Sequence, residues 1–156
     1  MKFKEIKNRY NGPALEKEVL TFWKKNSVFE KTLEQSNQQP LYTFNEGPPT
    51  ANGKPGIHHV LARSFKDAFP RYKTMQGFHV PRKAGWDTHG LPVELSVEKK
   101  LGITKEDIGT KISVDEYNKE CRETVMQYTD IWNDLTQKMG YWVNMDEPYV
   151  TYENKY

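Results

Sequence analysis

One stretch of the chain, residues 41–80, constrains its fold more than any other. A short β-favouring run at 41–44 leads into a loop dense in glycine and proline. Apolar residues then recur at helical spacing from His58 to Gly77, and a second β-favouring run starts at Phe78. A strand, a crossover helix and a second strand form a βαβ unit, whose strands are parallel. The stretch therefore predicts an α/β fold with a parallel sheet.

Further elements are predicted before and within this unit. Residues 1–12 are an irregular lead-in, and Pro13 favours the start of a helix over 13–25, because its missing N–H would be unpaired there in any case. The polar segment 32–40 is predicted to be a loop. Pro70 is expected to interrupt the helix of the βαβ unit, since proline removes a backbone hydrogen bond.

The second half of the chain is predicted to be mostly helical. Segment 81–94 is expected to be a loop, with a short helix over 93–100 and a long, well-patterned helix over 113–138. Gly140 is predicted to end the long helix, and 141–143 favours a further extended segment. Two or three strands are too few for an ordinary sheet, so the sequence is expected to continue in the natural protein.

Composition excludes a few classes of protein. The chain has 156 residues, 23 basic and 21 acidic side chains, and a net charge of +2. This near-neutral charge disfavours a module that only binds RNA. The single Cys121 excludes an internal disulfide framework and suits a reducing compartment, and no apolar run reaches membrane-spanning length. A monomeric, cytoplasmic protein without membrane association is expected.

The loop EGPPTANGKPG opens towards a helix that begins near His58. Its glycines let backbone approach a ligand closely, and the N-terminus of a helix offers free N–H groups suited to a phosphate. His58 and His59 in the first turn could donate hydrogen bonds to phosphate oxygens. A tight turn with two exposed histidines is the alternative. A metal site is disfavoured, since adjacent helical residues point about 100° apart and no cysteine pair supports them.

A second loop, GWDTHGLPVE, occupies residues 85–94. In an open α/β sheet, ligands bind beyond the carboxyl ends of the strands, and this loop follows the second predicted strand. Asp87 could bind a cation such as an ammonium group, or a hydroxyl-rich sugar. The alternative is an aspartate that caps a turn.

These segments occur together in one order. PTANG with its HH-containing helix start, RYKTMQG and GWDTHGLPVE are followed by MGYWVNMDEPYVTYENKY. The set closely resembles the isoleucyl-tRNA synthetases, which are class I aminoacyl-tRNA synthetases, over essentially the whole chain. The resemblance implies a helical lead-in over 1–40 and the first half of a Rossmann-type catalytic domain over 41–156. This half would be truncated before the editing insertion.

The resemblance also implies an activity. Enzymes of this family use ATP with Mg²⁺ as substrate to convert L-isoleucine into isoleucyl adenylate, and then transfer the isoleucyl group to tRNA(Ile). By resemblance, Gly47 and Pro48 line the amino-acid pocket and Asp87 binds the α-ammonium group. The residues of the nucleotide-binding turn would be Asn52, Gly56, His58 and His59, and both histidines would be catalytic.

The sequence departs from the family in one motif. The family signature is His-x-Gly-His, whereas this chain has Gly56, Ile57, His58 and His59, so the first histidine and the glycine have exchanged places. The hypothesis is that His58 replaces the lost histidine's phosphate contact and reshapes the nucleotide pocket. Inhibitors that mimic the adenylate, such as pseudomonic acid, would then bind less well. Neutral drift within a tolerant motif is the alternative.

Several parts of the family's enzymes are absent from the 156 residues. They are the Lys-rich ATP signature, the editing domain, the anticodon-binding helices and any zinc site, so the segment is expected to be inactive alone. A valyl- or leucyl-type enzyme and a nucleotide-binding module without catalysis remain alternatives. Five basic residues could contact the acceptor end of tRNA or could be solvated surface charges. They are Lys66, Arg71, Lys73, Arg82 and Lys83.

Overall fold

A computed structural model describes residues 9–156, so the predicted lead-in before Arg9 lies outside the described residues. The helices are α1 (Gly12–Lys25), α2 (Val28–Gln35), α3 (Ile57–Met75), α4 (Leu91–Leu101), α5 (Val114–Val125) and α6 (Thr129–Lys138). The strands are β1 (Phe44–Asn45), β2 (Arg82–Trp86) and β3 (Asn144–Val150), and a 3₁₀ turn spans Lys105–Asp107. The mixed α/β class is confirmed.

The three strands form one sheet in the order β1–β2–β3, and both pairs are parallel. Phe44 lies opposite Arg82, and Gly85 lies opposite Tyr149. Helix α3 connects β1 to β2, which is the predicted βαβ unit. All three strands therefore end at the same edge of the sheet, where their following loops begin.

The position of the second strand was predicted incorrectly. His79 forms only an isolated bridge to Leu41, and β2 instead occupies Arg82–Trp86, inside the predicted loop. The sequence of β2, RKAGW, has neither a strong β-favouring composition nor apolar alternation. It is nevertheless the central strand and bonds to neighbours on both sides, so pairing outweighs local preference.

The helix predictions needed three corrections. Residues 28–35 form α2, so the predicted loop over 32–40 begins with a helix. Pro70 lies inside α3 without ending it, because a long, tertiary-supported helix tolerates the loss of one hydrogen bond. The long helix over 113–138 is two helices. It breaks where the Tyr128 N–H donates to the carbonyl of Ala51 at 3.0 Å, outside the helical ladder.

Other local predictions are confirmed. Pro13 lies in the first turn of α1, and the Asn11 side chain caps that helix by accepting the Ala14 N–H at 3.2 Å. Helix α4 corresponds to the short helix predicted over 93–100. Gly140 follows α6 with φ of 66°, a left-handed conformation that favours glycine. The start of the last extended segment was predicted incorrectly, because β3 begins at Asn144, three residues beyond Tyr141.

A buried cluster lies beneath the loops that follow the strands. Trp132 of α6 packs with Trp86 at the end of β2, Val150 at the end of β3, and Ala51 of the glycine-rich loop. Trp132 is 1% exposed and Ala51 is fully buried. The loop is thus anchored in the core by its own backbone and a small side chain.

Replacing Gly85 with alanine is expected to destabilise the protein by about 1–3 kcal/mol, the usual cost of overfilling a packed site. A Cβ atom at Gly85 would overlap the ring of Tyr149 on the neighbouring strand. Denaturant unfolding measures the effect. Gly53→Ala is the matched control, since no atom lies within 4 Å of the Cβ added there. Equal stability of the two variants would contradict the prediction.

Candidate active site

The loops that follow β1 and β2 lie side by side. The Asp87 N–H donates to the carbonyl of Pro49 at 3.0 Å, and the Asn52 side-chain amide donates to the carbonyl of Pro92 at 3.1 Å. The two loops predicted to bind a ligand are therefore in contact with each other. The parallel topology explains it, because both loops leave the same edge of the sheet.

Two residues around the break between α5 and α6 support the first loop. The Tyr128 N–H bonds to Ala51, and the Trp132 Nε1–H donates to the carbonyl of Gly53 at 2.9 Å. Buried carbonyl groups need such partners. The loop is thus held by hydrogen bonds to specific backbone atoms as well as by packing.

The start of α3 contains the exchanged motif. Gly56 is the N-cap, and its N–H donates to Nδ1 of His59 at 2.8 Å. This contact requires Nδ1 to be unprotonated, so in the neutral ring the proton lies on Nε2. Partial burial, and next the charges of His58 and Arg63, lower the pKa of His59 below its usual 6.5. Its Nε2–H remains available as a donor.

The two histidine rings are closer than helical spacing predicted. Their centroids lie 3.8 Å apart, and the His59 ring also meets Trp132 edge-on at 4.7 Å. The absence of a side chain at Gly56 permits this arrangement, because a Cβ there would lie 2.9 Å from Cε1 of His58. Over residues 9–156, no three His, Cys, Asp or Glu side chains are grouped closely enough to hold a metal ion.

Asp87 is half-buried at the end of β2, and its carboxylate has little to bind within the protein. Among residues 9–156, only a long contact of 3.4 Å reaches it, from the His89 N–H. In the described part of the chain no lysine or arginine forms an ion pair with Asp87. Its backbone, in contrast, is fixed by Pro49 and by the Thr88 N–H, which donates to Thr151 Oγ1 at 2.9 Å. A rigid backbone carrying an unsatisfied carboxylate is suited to a cationic ligand.

Gly47 and Pro48 lie at the start of the first loop, directly after Glu46. Gly47 is exposed and Pro48 is half-buried, and the Gly47 carbonyl accepts a hydrogen bond from Lys66 Nζ at 3.0 Å. Sequence reasoning overlooked Glu46, whose side chain is buried. A carboxylate that lies between Asn45 and Gly47, ahead of two prolines, carries no local pattern that indicates burial.

Three of the five basic residues proposed for tRNA contact have partners within the protein. Lys66 pairs with Glu46, Arg71 pairs with Asp67, and Arg82 is almost completely buried near Asp67. Burial lowers the pKa of Arg82 to about 10. Both sequence interpretations, tRNA contact and solvated surface charge, are wrong for Arg82. Lys73 and Lys83 lie near aromatic rings.

Helices long and apolar enough to span a bilayer do not occur between residues 9 and 156.

Known proteins match this chain along its length. The family model described as tRNA synthetases class I (I, L, M and V) matches residues 18–156. Three relatives named isoleucine–tRNA ligase come from Cytophaga hutchinsonii, Bacteroides thetaiotaomicron and Thermobifida fusca. They are 59%, 63% and 57% identical over 156, 149 and 145 residues, which is 100%, 96% and 92% of this chain. The chain spans only 14%, 13% and 14% of their respective lengths. By its match to the family model and its parallel βαβ core, the chain belongs to the class I tRNA synthetases of the I, L, M and V group.

Proposed function

We propose that this chain is the N-terminal part of a monomeric, cytoplasmic isoleucine–tRNA ligase and carries the first half of its active site. The contact that carries the proposal joins the Asp87 N–H to the Pro49 carbonyl. It fixes the Asp87 carboxylate, which has no ion-pair partner among residues 9–156, beside the loop that leads into the N-terminus of α3. The names of the relatives supply the choice of isoleucine.

In the proposed reaction, L-isoleucine binds through its α-ammonium group to Asp87, with Gly47 and Pro48 lining its pocket. The substrate carboxylate attacks the α-phosphate of MgATP, which releases pyrophosphate and forms isoleucyl adenylate.

The first turn of α3 leaves N–H groups without intrahelical partners, and these N–H groups interact favourably with negative charge. Asn52, Gly56, His58 and His59 complete the nucleotide side, and the histidines donate to phosphate oxygens. Positioning and electrostatic stabilisation supply the rate enhancement.

An exposed apolar face supports the view that a longer polypeptide surrounds this segment. Helix α3 presents Leu61, Phe65 and Phe69 at a spacing of four residues, each at least 59% exposed. Stable monomers rarely expose large contiguous apolar patches. We therefore expect the full-length enzyme to be active and the 156-residue segment alone to be inactive.

Isoleucine-dependent exchange of pyrophosphate into ATP tests the proposal on the full-length enzyme, with valine and leucine as competitors. The expected result is exchange that depends on isoleucine and a much lower kcat/KM for the other two amino acids. Preference for valine or leucine would overturn the assignment to isoleucine. The absence of amino-acid-dependent exchange would overturn the ligase itself.

Restoring the family order of the exchanged motif should change the nucleotide pocket. Gly56→His alone is expected to weaken ATP binding, because its Cβ would collide with the His58 ring. The double variant Gly56→His with His58→Gly removes that collision, and we expect it to regain ATP–pyrophosphate exchange and to become more sensitive to adenylate-mimicking inhibitors. Inhibition constants for wild type and double variant measure this. Unchanged sensitivity in an active double variant would exclude the hypothesis.

The lowered pKa of His59 predicts the pH dependence of the reaction. Protonation at Nδ1 would break the bond from the Gly56 N–H, so activity should be lost as pH falls. Because the pKa lies below 6.5, the midpoint of the decline in kcat/KM for ATP should lie below that pH. A pH profile of the exchange reaction measures this decline. The His59→Gln variant should lack it, and a decline centred above 6.5 would contradict the assignment.

A further inference from the structure

Glu46 is a buried carboxylate immediately before the proposed amino-acid pocket. Its side chain is 2% exposed, and it forms an ion pair with Lys66 of α3 and accepts a hydrogen bond from the Tyr141 hydroxyl. Burial, reinforced by the bond to Glu46, raises the pKa of Tyr141, so this hydroxyl remains a donor. Arg63, also buried, contributes a second positive charge near the carboxylate. A buried charge with this set of partners has a defined position, because any displacement would leave it unpaired.

The backbone at Glu46 is fixed as well. Its carbonyl accepts a hydrogen bond from the Tyr149 hydroxyl of β3 at 2.6 Å. Lys66 Nζ, besides its pairing with the carboxylate, donates to the Gly47 carbonyl at 3.0 Å. The first two residues of the loop are therefore attached to α3, to Tyr141 after α6, and to β3.

These contacts lie three residues from the point where the two loops meet. Pro49 accepts the Asp87 N–H, so the position of Glu46 determines where Gly47 and Pro48 lie relative to Asp87. The nucleotide end of the same loop has separate supports, which are Tyr128 at Ala51 and Trp132 at Gly53. The two ends of the loop are thus held by different groups.

We propose that Glu46 is a positioning residue for amino-acid binding, which holds Gly47–Pro49 against Asp87 through Lys66, Tyr141 and Tyr149. This inference rests on the proposed function of the two loops. Glu46 thus positions the residues on the isoleucine side of the site, whereas Trp132 and Tyr128 support the residues on the nucleotide side.

The test measures KM for isoleucine and for ATP separately in the exchange reaction of the full-length enzyme. Glu46→Gln keeps the size of the side chain but removes its charge, so Lys66 is left without its partner. We expect KM for isoleucine to rise by up to about 100-fold, since a misplacement of about 1 Å can have an effect of that order on a positioned site, with KM for ATP changed much less. Glu46→Asp keeps the charge and should recover part of the affinity.

A matched control breaks an ion pair elsewhere. In the control, Glu120→Gln on α5 removes the ion-pair partner of Lys100 on α4. We expect the KM values for isoleucine and for ATP to stay at those of wild type. If Glu46→Gln does not fold, Tyr149→Phe removes one hydroxyl from the same network and should raise KM for isoleucine in the same direction, but less. Wild-type KM for isoleucine in the Glu46→Gln or Tyr149→Phe enzyme, or an equal rise in both KM values, would overturn the inference.

Hydrogen exchange of backbone amides separates this inference from the proposed function. In Glu46→Gln, peptides covering 47–51 and 87–90 should exchange faster than in wild type, while peptides from α5 stay unchanged. Hydrogen exchange does not depend on activity, so it tests whether Glu46 holds the two loops even if the wild-type enzyme does not use isoleucine. Unchanged exchange in both loops would overturn the role of Glu46.

Discussion

Replacing Asp87 with asparagine is expected to lower kcat/KM for isoleucine by a factor of roughly 30 to several thousand. The range corresponds to a loss of about 2–5 kcal/mol when one partner of a buried, hydrogen-bonded charge pair is truncated. Asparagine keeps the shape of the side chain and its backbone contact to Pro49, so the change removes charge and little else. The proposed ammonium group would then enter the site without a counter-charge.

The stability of the Asp87→Asn enzyme should remain close to that of wild type, because the carboxylate makes only the 3.4 Å contact to the His89 N–H within the described structure. Exchange kinetics and thermal unfolding of the full-length enzyme give the two measurements. Asp134→Asn is the control, since it removes an equivalent charge from the exposed pair with Lys138. An Asp87→Asn enzyme with wild-type kcat/KM for isoleucine would exclude Asp87 as the ammonium ligand.

Replacing Trp132 with alanine is expected to have the largest effect on stability, a loss of about 3–5 kcal/mol. The indole is almost completely buried against Trp86, Ala51 and Val150, and the guanidinium of Arg63 lies 5.0 Å from its ring. Truncation would leave a cavity among rigid neighbours that cannot close it fully. Denaturant unfolding measures the loss.

Trp132→Phe separates packing from hydrogen bonding at this position. Phenylalanine retains much of the apolar contact but leaves the Gly53 carbonyl without its donor. We expect a stability loss of about 1 kcal/mol, the net contribution of a typical hydrogen bond, because this bond is only partly buried. A higher KM for ATP should accompany it, since Gly53 lies in the loop leading to α3. If Trp132→Ala were no less stable than Trp132→Phe, the core role of the indole would be contradicted.

Local chemistry was enough to predict several elements. Pro13 and the apolar spacing after it specify α1, and Gly140 specifies the end of α6, because capping and left-handed backbone depend on one or two residues. The glycine-rich loop and GWDTHGLPVE were recognisable for the same reason. They also carried the family resemblance, which the comparisons confirm.

Other features depend on partners far away in sequence. Strand β2 exists because β1 and β3 bond to both its edges, and the break between α5 and α6 occurs because Ala51 accepts the Tyr128 N–H. The apolar residues of α3 have the spacing of a helix face that packs in a core, yet this face is exposed in the structure. Helical and strand periodicity describe neighbours along the chain, so they could not reveal these contacts.

The amino-acid sequence by itself determined the parallel βαβ unit, the family and the two loops expected to form the site. Only the tertiary structure decided that Glu46, a charged residue, is buried with Lys66 and Tyr141, and that the ring centroids of His58 and His59 lie 3.8 Å apart. The physical reason is that a buried charge is stable only when charged or hydrogen-bonding partners surround it. For Glu46 these partners, Lys66 and Tyr141, lie 20 and 95 residues away in the sequence.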